Sequence, residues 1–148
     1  MDITFRRLTA KDKTIALAMN TTFREGFFTC AGADHFLDDD RNWLFAGLLD
    51  GEVIAFALGY ELPRPDGRNM LYVHEVGVAD VHRHRGIGTA LLQALKSACI
   101  SCGICRFFLF TPQRNVAANA LYRKCGGETG WESHGNDTAY YFQTENDA

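Results

Sequence analysis

Apolar and polar positions change rhythm several times along the chain, and each change marks an element. Ile3 to Leu8 reads as a short strand, and Thr9 stands as N-cap before a helix expected across Asp12 to Arg24. Gly26 to Asp40 is mixed and reads as a loop with a short helix, ending in the run Asp38-Asp39-Asp40. Trp43 to Leu49 and Glu52 to Leu62 are two apolar runs joined by Asp50-Gly51, a strong hairpin signal. Pro63 and Pro65 break the second run, and Asp66-Gly67 makes another turn. Asn69 to Ala79 is a third long strand, rich in aromatic and β-branched residues. Ile87, Leu91, Leu92, Leu95 and Ala98 recur at helical spacing, which predicts a helix over Gly86 to Cys99 stopped by Gly103. Arg106 to Thr111 reads as a buried strand, Asn115 to Cys125 as an amphipathic helix stopped by Gly126-Gly127, and Ala139 to Gln143 as a last strand.

That order predicts an α/β fold with a mixed sheet and two helices crossing over between the late strands. No repeat, linker or low-complexity tract divides the chain, so one domain over residues 1–148 is expected. The 148 residues suffice for a core without staples, and a composition of 47% hydrophobic and 22% charged is ordinary for a globular protein. A net charge of −3 weighs against a nucleic-acid binder and leaves room for a cationic substrate. Met1 to Arg7 lacks the basic-then-apolar pattern of a secretion signal. No apolar run approaches the roughly 18 residues that a membrane helix needs. The five cysteines are an odd count unlike a secreted disulfide framework. A cytoplasmic protein is expected.

The most informative stretch runs from Val76 to Leu95. A strand ends at Ala79, a short basic loop bearing glycines follows, and a helix begins. The first turn of a helix carries N–H groups with no intrahelical partner, and its dipole favours an anion. Gly86 and Gly88 let a phosphate approach the backbone. Arg83 and Arg85 add charged donors, His84 sits between them, and Thr89 adds a hydroxyl. A Walker loop would need Lys-Ser/Thr after the second glycine, and a dinucleotide fingerprint would need a third glycine and a later acid; neither is present. A solvated basic helix start with incidental glycines would also fit.

Arg83-x-x-Gly86-x-Gly88, directly after Val73-His74-Glu75-Val76-Gly77-Val78, resembles the acyl-CoA signature of the GNAT acetyltransferase superfamily. Asn115-Val116-Ala117-Ala118-Asn119-Ala120-Leu121-Tyr122-Arg123-Lys124-Cys125-Gly126-Gly127 resembles its second motif, with Gly127 in place of the usual Phe. The match covers nearly the whole chain. It implies a mostly antiparallel sheet of six to seven strands flanked by about four helices, and acetyl-CoA as the acetyl donor. It further implies that the backbone of Val76, Gly77 and Val78 holds pantetheine, with the Val78 N–H on the thioester carbonyl. Arg83, His84, Arg85, Gly86, Gly88 and Thr89 would hold the pyrophosphate. Asn115 would bond the pantetheine arm, cap its helix, or both. Tyr122 would protonate the departing thiolate; a core tyrosine on an amphipathic helix is the bland alternative.

Glu75 is the general-base candidate, because a charge inside an apolar strand is costly unless wet or paired. Strict alternation would set Tyr72, His74, Val76 and Val78 on one face and Leu71, Val73, Glu75 and Gly77 on the other, whereas a bulge would change that parity. His74 is the second candidate base. Leu62-Pro63-Arg64 followed by Tyr72-Val73-His74-Glu75 is similar to the matching stretch of aminoglycoside 3-N-acetyltransferases, with His74-Glu75 where those enzymes have Tyr-Asp. The resemblance thus implies a polycationic acceptor, with Asp38, Asp39, Asp40, Glu61, Asp66 and Glu75 lining an acidic cleft. An acetyltransferase for another small amine, an amino acid or a protein N-terminus is the rival reading, and a non-catalytic acyl-CoA sensor is the rival of another class. The resemblance also implies a homodimer; no membrane or nucleic-acid partner is expected. Cys99-x-x-Cys102-x-x-Cys105 lacks a fourth ligand and reads as buried thiols, so no metal site is expected. His82 and His84 flank Arg83 and would assist phosphate binding. His134, in a glycine-bearing loop, would edge the substrate site.

Overall fold

The computed structural model describes residues 2–129 and 136–144. Six strands form a single sheet in sequential order: β1 (Thr4–Arg7), β2 (Asn42–Leu49), β3 (Glu52–Leu62), β4 (Met70–Val78), β5 (Arg106–Pro112) and β6 (Asp137–Gln143). Neighbours run antiparallel except β4 and β5. The hairpin between β2 and β3 turns on Asp50 and Gly51, whose φ angles of 51° and 80° are the left-handed pair that a two-residue loop requires. The helix α4 (Ile87–Ser101) is the crossover that makes β4 and β5 parallel. The helix α5 (Val116–Lys124) is not a second such crossover, because β6 returns antiparallel to β5.

The helix expected over Asp12 to Arg24 is two short pieces, α1 (Lys13–Leu17) and α2 (Met19–Thr22). The β-branched pair Thr21-Thr22 weakens its last turn. The Asn20 side chain exchanges two hydrogen bonds with the Phe28 backbone, at 2.7 and 2.9 Å, and holds the following turn against the sheet. The mixed stretch after Gly26 contains α3 (Cys30–Asp38), capped by Thr29, whose hydroxyl accepts from the Gly32 N–H at 2.9 Å.

Helices pack on both faces of the sheet. On one, α4 and α5 cover Trp43, Phe45, Leu71, Val73, Phe107, Tyr140 and Phe142. On the other, α1 to α3 cover Leu44, Ala46, Phe56 and Leu58. A bulge decides what β4 shows to each. Leu58 pairs with Glu75 but Gly59 pairs with Val73, so His74 is the inserted residue. Strict alternation therefore fails in β4. Leu71 and Val73 face α4 and α5, and so do Val76 and Val78, while Glu75 and Gly77 lie across from Leu58 and Phe56 on the opposite face.

The cysteines are free, with Cys99 and Cys105 buried and Cys102 exposed. Among the described residues, no group of three or more metal-ligating side chains is gathered. Burial pushes the Cys99 thiol from 9.0 up to about 12. The unfolded chain then loses this proton before the native one does, so stability is complete below pH 9 and falls as pH rises toward 12. At pH 10 the loss is about 1.4 kcal/mol. Urea unfolding at pH 8 and pH 10 checks this: the midpoint of Cys99→Ala falls less between the two pH values than that of the native chain.

Candidate active site

β5 pairs with β4 only from Met70 to Tyr72. Beyond the bulge the two strands part, and a wedge opens between them. The Ala79 N–H donates to the Ile54 carbonyl at 2.8 Å. Amides alternate along a strand, so the Val78 and Val76 N–H groups point away from β3 and into the wedge. Val78 also turns its carbonyl that way, where Arg83 Nε donates to it at 3.4 Å. The wedge continues into a cavity of about 510 Å³. Val76, Gly77, Val78, His82, Arg83, His84, Gly86, Gly88, Thr89, Asn115 and Tyr122 all line it, together with Leu121 and Lys124, to which sequence reasoning gave no role there. Arg85 is exposed on the same turn and is not among the lining residues.

The two glycines of the turn serve different ends. Gly86 is the N-cap of α4 with φ 76°, a conformation that side chains resist, and it offers no capping group. The first-turn N–H groups of α4 are thus left to a ligand. Gly88 packs instead: a Cβ there would stand 3.1 Å from Leu121 Cδ2, so its bareness lets α4 and α5 close together. Arg83 is also held by Asp80 at 3.2 Å.

Asn115 is the N-cap of α5, and its Oδ1 accepts from the Ala118 N–H at 3.1 Å. Its neighbour Asn119, buried at 6% exposure, was not singled out from sequence. Asn119 Nδ2 donates to the carbonyls of Asn115 at 2.7 Å and Pro112 at 3.1 Å, and its Oδ1 accepts from the Tyr140 hydroxyl at 2.6 Å. It therefore ties the start of α5 to the end of β5 and the middle of β6. Asn119→Ala is expected to cost about 2 kcal/mol, because the Tyr140 hydroxyl loses its buried partner. Chemical denaturation measures this, and Tyr140→Phe in the same background should recover part of the loss.

Tyr122 packs among Tyr140 and Phe142, and burial pushes its phenol from 10.0 up to about 12. The departure at Gly127 has a steric cause. A Cβ there would stand 2.8 Å from both the Phe142 ring and the Tyr122 carbonyl oxygen, so a side chain has no room.

Glu75 opens on the other side of β4, into a pocket of about 210 Å³ that also touches Thr22, Phe23 and Arg24. The two hollows share Val76, Gly77, Val78 and Arg83. Both Arg24 Nη atoms hold the Glu75 carboxylate, one of them at 2.9 Å, and the guanidinium lies 4.3 Å above the Phe27 ring. The pairing raises Arg24 above its ordinary value. Nothing in the local sequence marked Arg24, which arrives at Glu75 only through the fold. His74 is the exposed bulge residue, and its Nδ1 lies 3.0 Å from the Tyr72 hydroxyl.

The acidic residues do not form one cleft. Glu61 pairs across from Leu71, which sets it on the α4 face, opposite to Glu75. Asp39 is bonded to Arg41, which holds its carboxyl below the usual range, and Asp66 is bonded to Arg64. Asp38 lines a separate hollow with Lys13 and Asp34. Asp40 is exposed at the turn into β2 and offers its carbonyl to Arg7. His134 lies outside the described residues.

Solved structures share this fold. An aminoglycoside acetyltransferase from an uncultured soil metagenomic sample, in complex with sisomicin, is 16% identical with a TM-score of 0.76, over 89% of this chain and 93% of its own. A ribosomal-protein-alanine N-acetyltransferase from Brucella melitensis biovar Abortus 2308 is 21% identical with a TM-score of 0.68, over 90% and 97%. An Arabidopsis thaliana protein in complex with acetyl-CoA is 16% identical with a TM-score of 0.71, over 96% and 99%. At such identities the likeness is one of fold. No curated protein matches the sequence. The model of the GNAT acetyltransferase family matches residues 13–127, a span that holds the wedge, the Arg83 turn and α5. The chain belongs to the GNAT family of acetyltransferases, whose acetyl donor is acetyl-CoA.

Proposed function

We propose that the protein transfers acetyl from acetyl-CoA directly to the primary amine of a small acceptor that meets Glu75. One observation carries this reading. The segment from Val76 to Val78 is a wall common to two hollows, one with open amides and a bare helix start, the other with a carboxylate. A donor on one side and an acceptor on the other would meet at that wall.

The residues fit the donor. The open Val76 and Val78 edges suit an extended amide-bearing arm, and the uncapped start of α4 with Arg83 and His84 suits a pyrophosphate. When bound, acetyl-CoA supplies an activated acyl carbon, whose C–S bond breaks as the new C–N bond forms. With acetyl-CoA bound, the Val78 N–H would donate to the acyl oxygen as charge builds there, and one such donor is worth roughly 3 kcal/mol. Glu75 takes the proton of the amine, with His74 as the alternative acceptor of that proton. Burial keeps the Tyr122 phenol protonated at neutral pH, so it has a proton to give to the departing thiolate, the role that the resemblance implies.

The aminoglycoside acceptor implied by the Leu62-Pro63-Arg64 and His74-Glu75 pattern calls for clustered acids, and these are dispersed. Aminoglycosides form one arm of the amine panel. A thiol-release assay with acetyl-CoA and a panel of amines tests the proposal. Acetyl-CoA binding without CoA release by any amine would favour a sensor module. The shared sheet supports one acetyltransferase domain, and light scattering checks the homodimer that the resemblance implies. No described helix is long and apolar enough to cross a membrane.

A further inference from the structure

The face of the sheet that carries Glu75 is paved with rings. Phe36 meets Tyr60 at 5.9 Å between centroids, Tyr60 meets Tyr72 at 6.5 Å, and Tyr72 stacks on Phe108 at 5.4 Å. Phe110 abuts Tyr72 edge-on at 6.1 Å. Pairing makes this one face: Tyr60 lies across from Tyr72, and Tyr72 beside Phe108. Tyr60 is 36% exposed, so this stretch of the paving is open to a ligand rather than sealed as core. The arc ends at Tyr72 and His74, next to Glu75 in the chain. Its other end reaches, through Phe28 and Phe27, to the ring beneath Arg24, the residue bonded to Glu75. The carboxylate is thus bracketed by the arc.

From this juxtaposition we infer that the arc of Phe36, Tyr60 and Tyr72 is the binding wall for the acceptor. The acceptor is then a monoamine whose amino group hangs from an aromatic or other flat apolar body. This inference rests on the acetyl-transfer reading and narrows it. A ring laid on the arc gains offset or edge contacts that an unadorned alkylamine cannot make. Tyr60 and Tyr72 add hydroxyls at the rim for a polar substituent. Arg24 sets the second part of the selection. Its guanidinium beside the carboxylate repels further positive charge, so a polycation is disfavoured where a single amine can displace one Arg24 contact. The arc runs through Tyr72 to His74, the chain neighbour of Glu75, and Tyr72 is the last β4 residue paired with β5 before the wedge, which argues for the acceptor as its occupant over a second copy of the chain.

The test compares kcat/KM for 2-phenylethylamine, propylamine, spermidine and an aminoglycoside at saturating acetyl-CoA. The expected order puts 2-phenylethylamine first by roughly tenfold or more, equivalent to about 1.4 kcal/mol. Tyr60→Ala should lower the ratio of 2-phenylethylamine to propylamine roughly tenfold, about 1.4 kcal/mol, with Tyr60→Leu losing less. Arg24→Gln should raise the share of spermidine. Circular dichroism confirms that each variant is folded. A native preference for spermidine or the aminoglycoside overturns the inference and leaves acetyl transfer standing. So does an equal loss on all amines in Tyr60→Ala, or a change in molar mass with no change in the ratio, which would make the arc a contact between copies. Acetyl-CoA binding without turnover of any amine defeats the acetyl-transfer reading itself, and the inference falls with it.

Discussion

Glu75→Gln lowers kcat by roughly 100- to 1000-fold at saturating amine, while the Kd for acetyl-CoA stays within about twofold. Glutamine keeps the size and a hydrogen-bonding oxygen but cannot take a proton. The donor's hollow lies across β4 from the side chain, which is why binding of acetyl-CoA is spared. Arg24 complicates the role in a useful way. The carboxylate is engaged on both oxygens by the guanidinium, so an arriving amine must share or displace that pairing before it gives up its proton. Steady-state kinetics with calorimetry of acetyl-CoA binding separates the two effects. An unchanged kcat in Glu75→Gln would move the base to His74, whose ring stands exposed one residue away.

Gly59→Ala is expected to destabilise the fold by about 3 kcal/mol. Its Cβ would stand 2.5 Å from the Tyr72 carbonyl oxygen, a backbone atom with little room to give. For a chain of this size the loss corresponds to roughly 6–12 °C in Tm. The position matters because Gly59 lies opposite the start of the bulge, between its pairing with Val73 and the Leu58–Glu75 pair. A variant that folds by shifting β4 should therefore also lose turnover beyond its loss of folded protein. Thermal unfolding followed by near- and far-ultraviolet circular dichroism, with activity measured well below Tm, checks both parts. A Tm within 2 °C of the native value, on the same scaling, would show that the strand yields freely at this point.

How far the sequence could be read depended on how local the determinants were. Asp50-Gly51 encodes its turn within two residues, and the left-handed φ at both is what the hairpin shows. The apolar stripe from Ile87 to Leu95 needs only one helix to make sense, and that helix formed as Ile87–Ser101. The Arg83 turn and the Asn115 to Tyr122 stretch were legible by resemblance, and the fold sets them around one cavity. The faces of β4 were not legible, because an inserted residue is defined by its partner strand, and His74 looks regular on its own. The broken helix before Arg24 depends on Asn20 grasping the Phe28 backbone, a contact across a loop. The supposed acidic cleft failed for the same reason: charge counts ignore which face a residue takes, and Glu61 took the other one. The aromatic paving was not read from the sequence, where Arg106 to Thr111 passed as a buried strand, although Phe108 and Phe110 stand two apart in β5.

The bulge at His74 has one more consequence, for how such a chain can change over time. Because it turns Val76 and Val78 toward α4 and α5 but Glu75 and Gly77 away from them, donor and acceptor are served by alternate residues of one strand. Replacements on the ring-paved face can then retune the choice of amine while the acetyl-CoA side stays as it was. A residue inserted in β3 opposite His74 would do the reverse. With plain alternation through His74, Glu75 would share a face with Leu71 and Val73 in the apolar interior, and both functions would end in one step.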